Sequence, residues 1–444
     1  MGNFSKFGFI MATLGSSIGL GHIWRFPYMA GQMGGGAFVL LFLVMTLFIG
    51  VAMLVGEMLM GNKTQKNTAD AFVQLDPNPK KPWRFAGLTL IGGPIILAFY
   101  AVVLGWVVYY LVGVSIDLPD NAQQADQIYG ALLTSHSLYQ ILGFTSVLGL
   151  TGLIVSLGIK DGIEKLNLVL MPLLFIIFIG LLIYAAFQPS FMQAVHFLFD
   201  FKYEDISFNV IVAAMGQMCF SLSLGIGIII TYAASTDPKQ NLLESALYVV
   251  VCGIVISLIA GVMIFTFVYE YEVEVTYGTG LVFKALPIAF SKMGISGVVV
   301  AMLFFVGLAF AGVTSTISLL EPSVMYFVQK YNKNRKAVTW AIVGAIYAVG
   351  LVLIFSLNSD YSQTLSLAGK QLFVWFDSAS SNVIMPLGAL ISMIFVGYVI
   401  GRDRVKEMAQ GFLGERGFVV WFFIIRYIVP LVIITAWIGT IISE

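Results

Sequence analysis

Long apolar runs, each closed by a short cluster of Gly, Pro, Asn or charged residues, alternate along the whole chain. Eleven of them reach the roughly 20 residues that cross a bilayer as an α-helix. They fall near 7–29, 36–61, 85–114, 138–157, 163–187, 209–235, 242–268, 294–327, 337–357, 371–400 and 418–441, numbered here as spans 1 to 11. All are longer than the ~9–11 residues of a barrel strand. The pattern predicts an all-α polytopic membrane protein with 11 transmembrane helices. Residues 188–206 and 277–293 lie between spans yet contain Phe191, Phe197, Phe283 and Leu286, which a solvated loop would not need. Short helices folded back over an entrance are expected there.

Composition narrows the class. Of 444 residues, 59% are hydrophobic and only 10% charged, with a mean hydropathy of +0.94, against about 25% charged in an ordinary soluble domain. That deficit excludes a soluble enzyme. The balance of 23 basic and 23 acidic residues offers no excess for nucleic acid. Cys219 and Cys252 lie inside apolar runs, and three histidines without HExxH or CxxC argue against metal-dependent chemistry. With the amino terminus inside the cell, 17 of the 23 Lys and Arg fall on the cytoplasmic side. Four, Lys202, Lys284, Lys292 and Lys370, fall outside. This is the expected bias, and it puts the carboxyl terminus outside a cell (inner) membrane. No long soluble loop divides the chain, so residues 1–444 read as a single transporter domain.

Two spans are interrupted. Span 1 reads GSSIGLGHIWRFP from Gly15 to Pro27, and span 6 reads FSLSLGIG from Phe220 to Gly227. Glycine costs a helix about 0.8–1.0 kcal/mol relative to alanine, and clustered with serine it allows the backbone to unwind. Unwound backbone at bilayer depth must be buried in protein or line a polar cavity. Paired breaks in corresponding positions of two halves point to a transporter binding site.

The stretch GSSIGLGHIWRFPYMAGQMGGGAF (15–38) resembles the first helix and following loop of the neurotransmitter:sodium symporters. The resemblance continues through GEMLMG (56–61), GQMCFSLSLGIGIIITYAAS (216–235), GTGLVFKALPIAF (278–290) and AGVTSTISLLEP (311–322). It covers essentially the whole chain. It implies the LeuT-type fold, a 5+5 inverted repeat with broken helices 1 and 6. The repeats would occupy about 5–187 and 207–400, with an extra helix at about 418–441, one helix fewer than the family's common twelve.

The resemblance also implies roles. One sodium site would use carbonyls at Gly15, Ile18 and Ala311 with the hydroxyls of Thr314 and Ser315. The family's second sodium site would lose both asparagines, which are His22 and Gly253 here, so one sodium ion is expected. For chloride, Gln217, Ser221 and Ser257 match but the tyrosine position is Phe42, and chloride is left out. The amides of Leu20 and Gly21 and the Tyr100 phenol would clamp a carboxylate. Carbonyls at Ser17, Phe220 and Ser221, with the Ser223 hydroxyl, would cradle an amino group. Side-chain walls would be Ile96, Phe220, Ile226, Thr316 and Leu319, which suit an apolar amino acid. Gly19, standing where amine carriers place an aspartate, disfavours a monoamine.

His22 has two readings: a neutral ring satisfied by the broken helix, or a group facing the substrate's anionic end. Arg25 and Asp377 match an outer gate pair, and Glu57 is expected to accept hydrogen bonds from the unwound part of span 1 or to be protonated there. Gln217 would support the breaks. The inner gate departs from the family, with Gln329 near the usual aspartate. The expected function is sodium-coupled import of an amino acid by alternating access. A carrier of a keto or sulfonic acid is the alternative, and a channel or an intramembrane enzyme finds no matching constellation.

Overall fold

A computed structural model describes residues 3–274 and 278–443, with side chains to residue 438. Positions 1, 2, 275–277 and 444 fall within boundaries drawn above and lie outside the described residues. Among the described residues, nine helices are long and apolar enough to cross a membrane: Gly36–Thr64, Pro82–Val114, Ser137–Leu157, Ile159–Ala186, Leu242–Glu270, Ile295–Tyr331, Arg335–Leu357, Leu372–Val399 and Glu415–Ile438. They coincide with spans 2–5 and 7–11. Span 1 is a pair, Lys6–Ser17 and Gly21–Gln32, bent by 49°. Span 6 is also in two pieces, Phe208–Ser221 and Ile228–Ala233. Neither piece alone is a full span.

Polar residues at the span edges set where helices begin. The side chains of Ser207, Asn241 and Asn334 each accept a hydrogen bond from the backbone N–H three residues on, capping spans 6, 7 and 9. Such a cap is worth about 1 kcal/mol. Inside the bilayer, small residues let helices approach. A Cβ on Gly143 of span 4 would come 2.5 Å from the Gly105 carbonyl oxygen of span 3, so these two helices touch backbone to backbone.

Span 3 packs against spans 4 and 8, and the first half of span 1 packs against spans 5, 7 and 8. Residues 15–22 and 221–227, where the two helices break, are all buried, as their unpaired amides and carbonyls require. The two apolar outer segments are helical, at Phe191–Phe199 and at Leu281–Lys292. The second is moored over spans 1 and 3. Trp24 Nε1 donates to the Gly278 carbonyl at 2.8 Å, and the Tyr110 hydroxyl donates to the Phe283 carbonyl at 2.7 Å. A further helix, Ala122–Thr134, joins spans 3 and 4; its mixed polarity gave no span signal.

Candidate functional site

The two breaks face each other and are laced together by reciprocal serine bonds. Ser17 Oγ donates to the Ser221 carbonyl at 2.7 Å, and Ser223 Oγ donates to the Ser16 carbonyl at 2.9 Å. Gln217 Nε2 donates to the Gly21 carbonyl at 2.7 Å and to Ser221 Oγ at 2.8 Å. Span 6 opens through residues of positive φ, Ser223 at 53°, Gly225 at 84° and Gly227 at 78°, a region that glycine enters without steric cost. The Gly225 N–H thus leaves its helix and donates to Glu57 Oε1 at 2.9 Å. Glu57 therefore supports span 6 and not span 1, a correction to the expectation above. The cause is that the span 1 break frees its amide at Leu20 on the far side, where the Tyr100 hydroxyl accepts it at 3.0 Å.

Between the breaks lies a small cavity of about 30 Å³, room for little more than a water or two. Ser16, Ser17, Gly19 and Gly21 line it from span 1, and Phe220, Ser223 and Ile226 from span 6. Ile96 and Tyr100 come from span 3, Ser315 and Leu319 from span 8, and Met385 from span 10. Leu20 contributes through its amide on Tyr100, and Ser221 through its carbonyl on Ser17. Gly19 has no space for a side chain, since a Cβ would stand 2.3 Å from Ser315 Oγ and 2.7 Å from the Tyr100 oxygen.

Four expected residues, Leu20, Ser221, Thr316 and His22, are absent from the lining, and the last two turn away from it. Thr316 follows Ser315 by about 100° around the helix and turns to span 4, where its hydroxyl meets that of Thr151 at 2.8 Å. His22 follows Gly21 and is turned the same way out of the cavity. Its buried ring lies against Gly253 of span 7, with neither ring nitrogen hydrogen-bonded among the described residues. It faces neither the cavity nor a backbone carbonyl, so both sequence-based readings of its surroundings are corrected.

Beside the cavity, oxygen atoms converge without a fixed charge. Ser315 Oγ stands 3.3 Å from the Gly15 carbonyl oxygen and 3.4 Å from that of Ser16. The Thr314 hydroxyl donates to the Ala311 carbonyl at 2.9 Å and to Phe310 at 3.1 Å. Ile18 ends the first half of span 1 with φ −80° and ψ 85°, so its carbonyl leaves the helical ladder. Gly15, Ile18, Ala311, Thr314 and Ser315 are all buried. Neutral oxygens in such a cluster suit a hard monovalent cation. No cluster of His, Cys, Asp or Glu fit for another metal occurs among the described residues. At the chloride-matching positions, Ser257 Oγ and Gln217 Oε1 are buried without partners among the described residues. Phe42 is packed on Phe26, with ring centroids 5.0 Å apart.

Arg25 and Asp377 do not form the expected ion pair: no contact within 4.0 Å joins them. The Arg25 guanidinium instead lies 4.7 Å above the Phe220 ring, a cation–π contact that suits a half-buried planar cation. Arg25 thus caps the aromatic wall of the cavity. At the start of span 1, a residue that sequence reasoning passed over ties spans 1 and 5 together. Glu164 of span 5 accepts from both the N–H and the hydroxyl of Ser5, the cap of span 1. Phe4 packs edge-on to Tyr232, with centroids 5.5 Å apart. An acid beside Gly162 at a span edge was the available signal. Gln329 Oε1 accepts from the Asn67 N–H at 2.8 Å, fastening span 8 to the segment after span 2. Ser16, Met385 and Asn167 were also missed; Ser16 lies in the quoted span 1 motif, and the other two carry none.

Two unwound helices crossing at a cavity, with an oxygen cluster against a third helix, define a secondary transporter of the LeuT-type fold. The family model described as "Sodium:neurotransmitter symporter family" matches residues 3–126 and 138–444, and the chain belongs to that family. A relative from Bacillus subtilis (strain 168), the uncharacterized sodium-dependent transporter YhdH, is 35% identical over 98% of this chain and 97% of its own length. An uncharacterized sodium-dependent transporter of Haemophilus influenzae is 32% identical over 98% and 97%. Among solved structures, MhsT in complex with L-phenylalanine superposes with a TM-score of 0.90 at 30% identity, covering 99% of both chains. The protein is a sodium-coupled symporter of a small molecule, a multi-pass membrane protein and not an enzyme.

Proposed function

We propose that this symporter imports an amino acid with an apolar side chain, together with one sodium ion, by alternating access. The carrying observation is the lining of the cavity. The Tyr100 hydroxyl meets the Leu20 amide at 3.0 Å, which supports a carboxylate clamp at the start of a half-helix. Carbonyls of the broken spans and the Ser223 hydroxyl support an amino-group cradle. Ile96, Phe220, Ile226, Leu319 and Met385 complete the wall, and no charged residue belongs to the lining. The bound L-phenylalanine of MhsT is consistent with this reading. At about 30 Å³ the cavity must expand for a ligand.

The sodium set is Gly15, Ile18, Ala311, Thr314 and Ser315, with a second sodium ion and chloride omitted. The repeats run over about 5–187 and 207–400, and the helix at about 418–441 lies outside them. The amino terminus faces the cytoplasm from a cell membrane, on the distribution of Lys and Arg. The test is uptake into proteoliposomes under an inward sodium gradient, screening apolar, polar and charged amino acids. The variant carrying Thr314→Ala and Ser315→Ala should fold and lose sodium-dependent stabilisation and uptake; unchanged sodium affinity would remove the site assignment. A second reading, transport of a keto or sulfonic acid, draws on His22 replacing a sodium ligand linked to the substrate carboxylate. Including those acids in the screen separates the two.

A further inference from the structure

Asn167 stands on span 5 beside the first half of span 1 and is fully buried. Its Nδ2 donates to the Ile163 carbonyl one turn back, at 2.8 Å. A carbonyl can only accept, so this bond fixes which end of the amide is nitrogen. Oδ1 therefore points the other way, at span 1, where it is buried and meets no donor among the described residues. It lies 1.8 Å from the point where a Cβ on Gly15 would sit, and Thr314 Cβ lies 3.0 Å from that same point. The amide oxygen and the Thr314 side chain thus share one niche in front of Gly15. Buried acceptors without a donor are rare in native proteins and call for a physical account.

The Thr314 hydroxyl provides one. Here its proton points back to the Ala311 and Phe310 carbonyls. Once a cation draws the Ala311 carbonyl and a Thr314 lone pair to itself, it repels the positive end of the O–H dipole. The proton must then leave the Ala311 carbonyl; the Phe310 carbonyl is one acceptor, and the one sharing the niche that lacks a donor is Asn167 Oδ1. We propose that Asn167 is a positioning residue for sodium: Oδ1 takes the Thr314 hydroxyl proton in the loaded protein and holds the Thr314 oxygen towards the ion. The proposal rests on the sodium reading of Thr314 and Ser315. Outer partners that orient a metal ligand typically change metal affinity about 10–100-fold.

The experiment is sodium titration of the purified full-length transporter, read as 22Na+ binding, with melting temperature recorded without sodium. Asn167→Ala should weaken sodium affinity about tenfold or more. Asn167→Asp should stay within about threefold of wild type, because a protonated carboxyl still donates to Ile163 and accepts from Thr314. In a Thr314→Ala background, Asn167→Ala should cause no further loss, since the proton donor has gone. A merely structural asparagine would instead lower the melting temperature equally in both backgrounds and give additive losses. Unchanged affinity in Asn167→Ala, or additivity with Thr314→Ala, overturns the proposal while leaving the sodium site standing. If Thr314→Ala itself leaves sodium binding intact, the sodium assignment fails and takes this proposal with it. Should Asn167→Ala not fold, Asn167→Asp and Asn167→Ser decide, and equal weakening in both would also overturn it.

Discussion

The imidazole of His22 fills the space that Gly253 leaves open: a Cβ on Gly253 would stand 2.6 Å from Nε2. Ring and missing side chain form one unit, wedged between the second half of span 1 and span 7. Family resemblance places one sodium-ligating asparagine on each side of that interface, and the imidazole and the glycine stand at those two positions here.

Sodium dependence of substrate binding should accordingly follow a Hill coefficient near one, as for a single linked ion. Joint replacement, His22→Asn with Gly253→Asn, should raise the coefficient above one. Gly253→Ala alone should destabilise by about 1–3 kcal/mol through overpacking. A wild-type coefficient approaching two would contradict the one-ion reading.

Gly15→Ala tests how tightly the sodium set is assembled. The added methyl would overlap Asn167 Oδ1 and press on Thr314, so a loss of about 1–3 kcal/mol and of sodium-dependent stabilisation is expected. Gly344→Ala, on span 9 with nothing within 4 Å of the new methyl, is the matched control. There the change should be neutral or stabilising, since alanine is the better helix former. Melting curves with and without sodium read both effects.

Glu57→Ala removes the acceptor of the Gly225 N–H and leaves a buried donor unpaired, at a cost of about 1–3 kcal/mol. Glu57→Gln keeps an oxygen at the same reach and should retain most of the stability. Comparable losses in both variants, measured by chemical or thermal unfolding in detergent, would show that the charge and not the hydrogen bond matters.

Tyr100→Phe should fold, since the ring stays buried, with a stability loss of about 1–3 kcal/mol from the unpaired Leu20 amide. It deletes the hydroxyl on the Leu20 amide and any bond to a substrate carboxylate. A hydrogen bond to a charged group is worth about 1.5–3 kcal/mol, so affinity should fall about 10–100-fold by equilibrium binding of the substrate found in the uptake screen. A variant that binds as tightly as wild type would remove Tyr100 from the clamp.

The spans and both breaks were legible in the sequence because lipid reads the chain locally: about 20 apolar residues must be helical, and Gly–Ser clusters at that depth must be buried. The proposed sodium set was read from ordered motifs, Gly15 and Ile18 beside the span 1 break and Ala311, Thr314 and Ser315 in the span 8 motif. What lies across the break did not follow from local pattern. Glu57 could have supported either broken helix, and the direction in which Gly225 N–H leaves span 6 decided it. Arg25 was paired with Asp377 by charge, yet its guanidinium lies over the ring of Phe220 and makes no ion pair within 4.0 Å among the described residues. His22 and Thr316 each follow a lining residue by one position, and that rotation of about 100° turned them to spans 7 and 4. Asn167 carries no motif; its meaning depends on Gly15 and Thr314, brought to it from far along the chain. Helix formation depends on each segment's own residues, whereas a side chain's partner depends on which helices pack together, and only the folded bundle fixes that.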